Sequence, residues 1–328
     1  MKIERMNLTA EQVTLTAYLL DESEEMENAK VRPAVLVCPG GGYQMCSDRE
    51  AEPVAMAFLA EGYHAFVLRY SLNEQARFPQ PLRDAEEALA LIRMRAEEWN
   101  VNPEKIAACG FSAGGHLATC LGTMGKERPN AMILGYPVIR HIPGPVLPYE
   151  IPSAAEAVDT MTPPAFLFAA QNDIVVPVEH SLSFASALSA NQIPFALHIF
   201  QNGGHGFALS KGTTGSGKKT MLDPETRKWF PLCIAWLEEL GFGFPAESAD
   251  DLIEKTRGYS VDLPFGILWK NPASREMIVS LMPQMENVPG LDSITDVSFR
   301  KMLGYSQDLP EGMIDQIDEK LRKIPIRG

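Results

Sequence analysis

A serine hydroxyl is a poor nucleophile until a base takes its proton, and this sequence sets one serine where such chemistry is done. Ser112 lies in Gly110-Phe-Ser-Ala-Gly114, between the apolar run Ile106-Ala-Ala-Cys109 and a helical stretch from about Gly114 to Gly122. A G-x-S-x-G pattern between strand and helix marks a sharp turn that pushes the hydroxyl outward and strains the backbone. The residues two places to either side must then lack side chains. The turn also puts a helix N-terminus behind the serine, so the Ala113 N–H points at an oxygen that gains negative charge in a transition state. The plainer alternative is a tight glycine-rich helix entry with an ordinary N-terminal serine.

A nucleophilic serine requires a histidine, and the histidine requires an acid to fix its tautomer, in the chain order Ser, acid, His. Of the six histidines, His64 and His198 fall inside strand-like runs, His180 opens a helix and His141 sits in a Pro-rich connection. His116 is four residues along the helix from Ser112, points away from the open side of the hydroxyl and precedes any acid. His205, in Asn202-Gly-Gly-His-Gly-Phe207 on a loop after the last strand, is the expected base. Asp173, in Gln171-Asn-Asp-Ile-Val-Val-Pro177 after the strand-like Phe166-Leu-Phe168, is the expected acid. Its rivals are Asp159, before that strand, and Glu179, at a helix start. The second half of an oxyanion hole is expected in Cys38-Pro-Gly-Gly-Gly-Tyr43, with the Gly41 and Gly42 amides as donors and a bare turn as the alternative.

Strand and helix must alternate to position these loops, and they do. Short apolar runs at Ala34–Cys38, His64–Tyr70, Ile106–Cys109, Ala131–Tyr136, Ala165–Ala170 and Phe195–Phe200 read as strands. Between and after them, Glu52–Ala60, Pro81–Asn100, Val178–Ala190 and Thr226–Leu240 read as helices, with Val101–Lys105 as a break. The N-terminus reads as polar up to the alternating Val13–Leu20. The expected fold class is α/β, a mostly parallel doubly wound sheet. Gly241-Phe-Gly-Phe-Pro245 ends that rhythm, so the chain divides into residues 1–245 and a small helical C-terminal domain, 246–328, with Glu311–Lys323 as one helix. In that tail Phe265, Ile267, Leu268 and Trp269 are expected to pack on the larger domain or on a second copy, which leaves room for a homo-oligomer.

Composition bounds the partners. The formal charge of −13 with no Lys/Arg-rich run argues against nucleic acid and anionic membranes. No apolar leader or 18-residue apolar run is present, so the expected location is cytoplasmic. Five cysteines without a CxxC pair suit reduced thiols. Gly212-Thr-Thr-Gly-Ser-Gly-Lys-Lys219 nearly spells a phosphate-binding loop, but Lys219 stands where Ser or Thr belongs and no strand leads in, so a mobile surface loop is expected. No metal-ligand or dinucleotide motif occurs; neither metal nor cofactor is expected.

With PGGGY, GFSAGGH, NDIVVP and GGHGF in this order, the first 240 or so residues resemble the α/β-hydrolase superfamily. More narrowly they resemble bacterial acetylesterases of the acetyl-xylan-esterase-like group, related to the hormone-sensitive-lipase esterases. The resemblance implies an α/β-hydrolase fold, Ser112, Asp173 and His205 as a triad, and Gly41, Gly42 and Ala113 as oxyanion donors. The chain departs from the lipase relatives at Pro39, where they have His, and at Phe111, where they often have Asp. The tail is similar to small helical modules appended to some bacterial carbohydrate-active enzymes.

The expected function is a serine esterase removing small acyl groups, acetyl first, from sugar or other alcohols; its partner is a small ester such as an acetylated saccharide. Fewer than 30 residues separate the strands ending near Tyr136 and starting near Ala165, too few for a large helical cap over a long acyl chain. The D-x-x-V-P segment at Asp173 suggests, as an alternative, a serine peptidase of the prolyl-oligopeptidase type, although no propeller or gating domain precedes the strand pattern. A non-catalytic binding protein on the same fold is a third reading, which the presence of all three triad residue types disfavours.

Overall fold

The structure is a computed structural model describing residues 1–142, 147, 149–244, 246–288, 290, 291, 296–305, 310 and 312–326. The chain divides into two compact units, Met1–Phe244 and Pro245–Gly328.

The first unit is built on one sheet of eight strands among the described residues. They are β1 (Lys2–Asn7), β2 (Thr14–Leu19), β3 (Arg32–Cys38), β4 (His64–Arg69), β5 (Val101–Phe111), β6 (Ala131–Gly135), β7 (Ala165–Ala170) and β8 (Phe195–Phe200). Their order across the sheet is β1-β2-β4-β3-β5-β6-β7-β8; the pairings β1·β2 and β2·β4 at one edge are antiparallel, and those from β4·β3 to β7·β8 are parallel. Strands β3, β6 and β7 are buried along their whole length, because helices cover both faces and no polar alternation is needed. The helices are α1 (Glu52–Ala60), α2 (Gln80–Met94), α3 (Ala96–Trp99), α4 (Ser112–Met124), α5 (Glu179–Ala190) and α6 (Trp229–Glu239). Two apolar layers result. One joins Leu36, Leu117 and Leu134 with α2 and α4 residues; the other joins Val37, Phe111, Phe168 and Trp229 with α1 and α6 residues.

Chain order and sheet order part company at β3. The chain leaves it toward β4 and returns on its other side as β5, so the crevice at the carboxyl ends of β3 and β5 is a topological switch point, where ligands bind in open α/β sheets.

Three expectations on this unit need correction. The N-terminus, read as polar, forms β1; as an edge strand it is mostly exposed and carries no apolar stripe to read. Val101–Lys105 is no break but the first half of β5, where Val101 pairs with Arg32 across a register shift. The helix read from Pro81 to Asn100 is interrupted at Arg95 and closes on Asn100 in the left-handed conformation. Gly212–Gly217 runs as successive turns with Thr214 buried, Lys219 opens a short 3-10 helix, and β8 ends well before them, at Phe200. All five cysteines are buried free thiols; burial raises their pKa values, that of Cys46 to about 11. No helix among the described residues is long and apolar enough to cross a membrane.

The second unit is helical in its described residues: α7 (Ala249–Lys255), α8 (Phe265–Lys270), α9 (Pro272–Leu281), α10 (Phe299–Gly304) and α11 (Met313–Leu321). A capping box at Ser248 and Asp251 starts α7. Phe265, Leu268 and Trp269 do not need the larger unit as a partner: they close a core inside their own unit with Ile278, Phe299 and Ile317, and Phe265 stacks on Trp269 at 5.1 Å. Ile317 and Leu321 of α11 bury into the same core, while the start expected at Glu311 lies outside the described residues.

Candidate active site

Ser112 is the first residue of α4 and sits at φ 53°, in the strained left-handed region. The glycines around it are sterically required. A Cβ on Gly110 would lie 2.1 Å from the Gly114 carbonyl oxygen, and one on Gly114 would lie 2.1 Å from that of Cys38.

The hydroxyl faces His205. His205 Nε2 and Ser112 Oγ are 2.9 Å apart, and on the other side of the ring Nδ1 is 2.7 Å from Asp173 Oδ2. An ionised carboxylate only accepts, so Nδ1 carries the proton and Nε2 is left bare to accept the serine O–H. Asp173, 5% exposed, is itself fixed: its Oδ1 accepts the Val175 and Val176 N–H groups at 2.9 and 3.0 Å. These bonds make the Asp173-Ile-Val-Val segment an Asx turn that aims the second oxygen at the ring. The Gly204 N–H donates to Asn172 Oδ1 at 3.2 Å and ties the histidine loop to the acid loop. Serine, acid and histidine thus follow β5, β7 and β8.

The loop after β3 supplies the facing wall. Gly41, Gly42, Ser112 and His205 line one pocket of about 370 Å³, together with Gln44, Met45, Arg49, Glu50 and Val175. The Gly40 N–H is already engaged by Glu50 Oε2 at 2.9 Å, while Gly41 and Gly42 line the pocket. Ala113 is in the first turn of α4, where N–H groups have no intrahelical partner.

Sequence reasoning missed three residues here. Glu50 is buried and bridges two loops, accepting from Gly40 and, at 2.6 Å, from the Tyr136 O–H; burial raises its carboxyl pKa. Tyr136 accepts the Ala208 N–H at 3.0 Å and sets its ring 5.1 Å from that of His205. Arg49 stands on the pocket wall. Glu50 and Arg49 belong to the charged run Asp48-Arg-Glu-Ala-Glu52, which reads as a solvated helix entry; nothing in its spacing marks the middle carboxylate as inward.

The rivals are occupied elsewhere. His116 is buried, bonded to Tyr43 and to the Pro152 carbonyl. Asp159 pairs with Arg128, which holds its carboxyl well below the usual range. His180 and His64 accept backbone N–H groups from Ile139 and Leu20, and the His198 ring packs on Phe166. Glu179 is exposed at the start of α5.

Comparison with known proteins finds relatives of the same fold. Residues 20–136 match the BD-FAE family and residues 148–223 the prolyl oligopeptidase family. The fold superposes on MGS-M1, an α/β-hydrolase enzyme from a deep-sea metagenome library of the Medee basin. The TM-score is 0.69 at 47% identity over 73% of this chain and 97% of that one. It superposes equally, TM-score 0.69, on the carboxylesterase Cest-2923 of Lactobacillus plantarum, at 31% identity over 75% of this chain and all of that one. The chain is 30% identical to an acetylxylan esterase of Xylanibacter ruminicola over 71% of its own length and 50% of the relative's. It spans half or less of the length of the first curated relatives it matches. The chain belongs to the α/β-hydrolase family, on the branch of its esterases.

Proposed function

We propose that this protein is a serine carboxylesterase that removes small acyl groups, acetyl foremost, from sugar or other alcohols through an acyl-enzyme. The observation that carries the reading is the relay from Asp173 through His205 to Ser112, at 2.7 and 2.9 Å, opening on the pocket bounded by Gly41 and Gly42. In this reading Ser112 Oγ attacks the ester carbonyl as His205 Nε2 takes its proton, and Asp173 stabilises the imidazolium. The Gly41, Gly42 and Ala113 amides receive the oxyanion. His205 then gives the proton to the departing alcohol, and a water repeats the cycle on the acyl group. The preference for acetyl is supported by the short connection between β6 and β7 and by the acetylxylan esterase among the relatives.

The match of residues 148–223 to the prolyl oligopeptidase family keeps a serine peptidase as the second reading. The two separate on p-nitrophenyl acetate and an aminoacyl-p-nitroanilide. Hydrolysis of the acetate alone supports the esterase; anilide turnover at comparable kcat/KM overturns it, and inertness toward both points to a non-catalytic binding protein.

A further inference from the structure

Arg49 lies on the wall of the pocket that holds Ser112 and His205. In the sequence it is one charge among neutralising neighbours, with Asp48, Glu50 and Glu52 beside it. The fold engages all three elsewhere, although the buried Glu50 carboxyl still feels the Arg49 charge. Asp48 and Glu52 both pair with Arg69, at 2.9 and 3.0 Å, and Glu50 turns inward to Tyr136 and Gly40. No carboxylate among the described residues forms an ion pair with the half-buried Arg49 guanidinium.

Its position says which half of a substrate it meets. Arg49 Nη2 is 3.4 Å from where a Cβ on Gly206 would be, beside the residue that follows the base. His205 delivers its proton to the departing alcohol, so the alcohol half of an ester lies on this side, while the carbonyl oxygen lies toward Gly41 and Gly42. A chain of net charge −13 repels anions at long range, which makes a local unpaired guanidinium the device that admits one.

We propose that Arg49 is an anion subsite for the alcohol half of the substrate, and that the preferred esters carry a carboxylate there, as an acylated acidic sugar does. The guanidinium fork matches a carboxylate with two parallel hydrogen bonds. The proposal rests on the esterase reading and adds the charge of the alcohol to it.

The test compares kcat/KM for 4-acetoxybenzoate and its uncharged counterpart 4-acetoxybenzamide in the wild type, Arg49→Gln and Arg49→Lys. Dividing one enzyme's preference by another's cancels the intrinsic difference between the leaving groups. Arg49→Gln is expected to lower the preference for the carboxylate about tenfold, the scale of one charge-assisted hydrogen bond at a partly exposed site. Arg49→Lys should restore part of it, and added salt should erode it in the wild type but not in the glutamine variant. An equal fall on both esters, or no change on either, overturns the subsite. Turnover of the benzamide without that shift leaves the esterase standing and removes only the role of Arg49; a wild type inert toward both esters overturns both.

Discussion

The Tyr43 O–H donates to His116 Nδ1 at 2.8 Å, so the nearest histidine to Ser112 in sequence holds the glycine loop rather than the serine hydroxyl. The Pro152 carbonyl, 3.0 Å from Nε2, takes the ring's one proton and thereby sets the tautomer that accepts from Tyr43. Two further bonds pin the same loop: the Tyr70 O–H to the Pro39 carbonyl at 2.6 Å, and Glu50 to the Gly40 N–H. The loop is therefore tied down at Pro39, Gly40 and Tyr43 despite its three glycines.

Burial lowers the His116 pKa to about 4. A histidine held neutral in the fold stabilises it fully above its unfolded value near 6.5, and that stability is lost as pH falls from 6.5 through 4. The loss is roughly 3 kcal/mol across the window. His116→Gln keeps an acceptor for Tyr43 and a donor for Pro152 but does not titrate. Urea midpoints of the wild type are expected to fall more steeply between pH 7 and 4.5 than those of the variant; parallel curves would refute the assignment.

Replacing Ser112, the proposed nucleophile, tests the chemistry most directly. Ser112→Ala is expected to lower kcat about 10⁴-fold on p-nitrophenyl acetate with the fold unchanged by circular dichroism. His205→Ala should fall as far and Asp173→Asn somewhat less. Retention of a tenth of the activity by the serine variant would be incompatible with the proposed mechanism.

Glu50 answers two donors, one from each side of the pocket, with two oxygens. Glutamine can accept only one and turns amide hydrogens toward the other. Glu50→Gln should therefore lower kcat roughly tenfold or more with little change in KM, because the loop amides lose their aim while the pocket keeps its walls. A rise in KM at constant kcat would instead place Glu50 in substrate binding.

The solved relatives that match end to end cover only about three quarters of this chain, and every candidate residue lies in the first unit. A chain ending at Phe244 is expected to keep hydrolysing p-nitrophenyl acetate within about threefold of full length, well inside the ΔΔG‡ of a lost catalytic contact. The second unit, with its own core around Phe265, Trp269 and Phe299, should melt cooperatively by itself. A folded truncation without activity would mean that the tail contributes to the site.

What could be read from the sequence follows from where physical constraints are local. The loop positions of Ser112, Asp173 and His205 were legible because β7 and the second half of β5 are buried apolar runs, the half-exposed β8 is still rich in apolar residues, and each is followed closely by Gly or Asn. Glu50 and Tyr136 were not, since their roles come from a contact 86 residues apart in the chain. β1 escaped because an exposed edge strand needs backbone pairing rather than an apolar face. For Phe265 and Trp269 apolar clustering signalled burial, but only packing decides against what, and here α9 and α10 cover them.

The five thiols described above give the molecule an experimental convenience. All are buried, Cys46 least so at 9% exposure, and burial pushes each away from the thiolate that maleimides and iodoacetamides attack. A cysteine introduced at Met45, exposed on the rim of the pocket, would be the one readily labelled position in an otherwise unmodified chain. A fluorophore there reports arrival and departure of ligands within reach of Ser112, in real time and without any chromogenic ester.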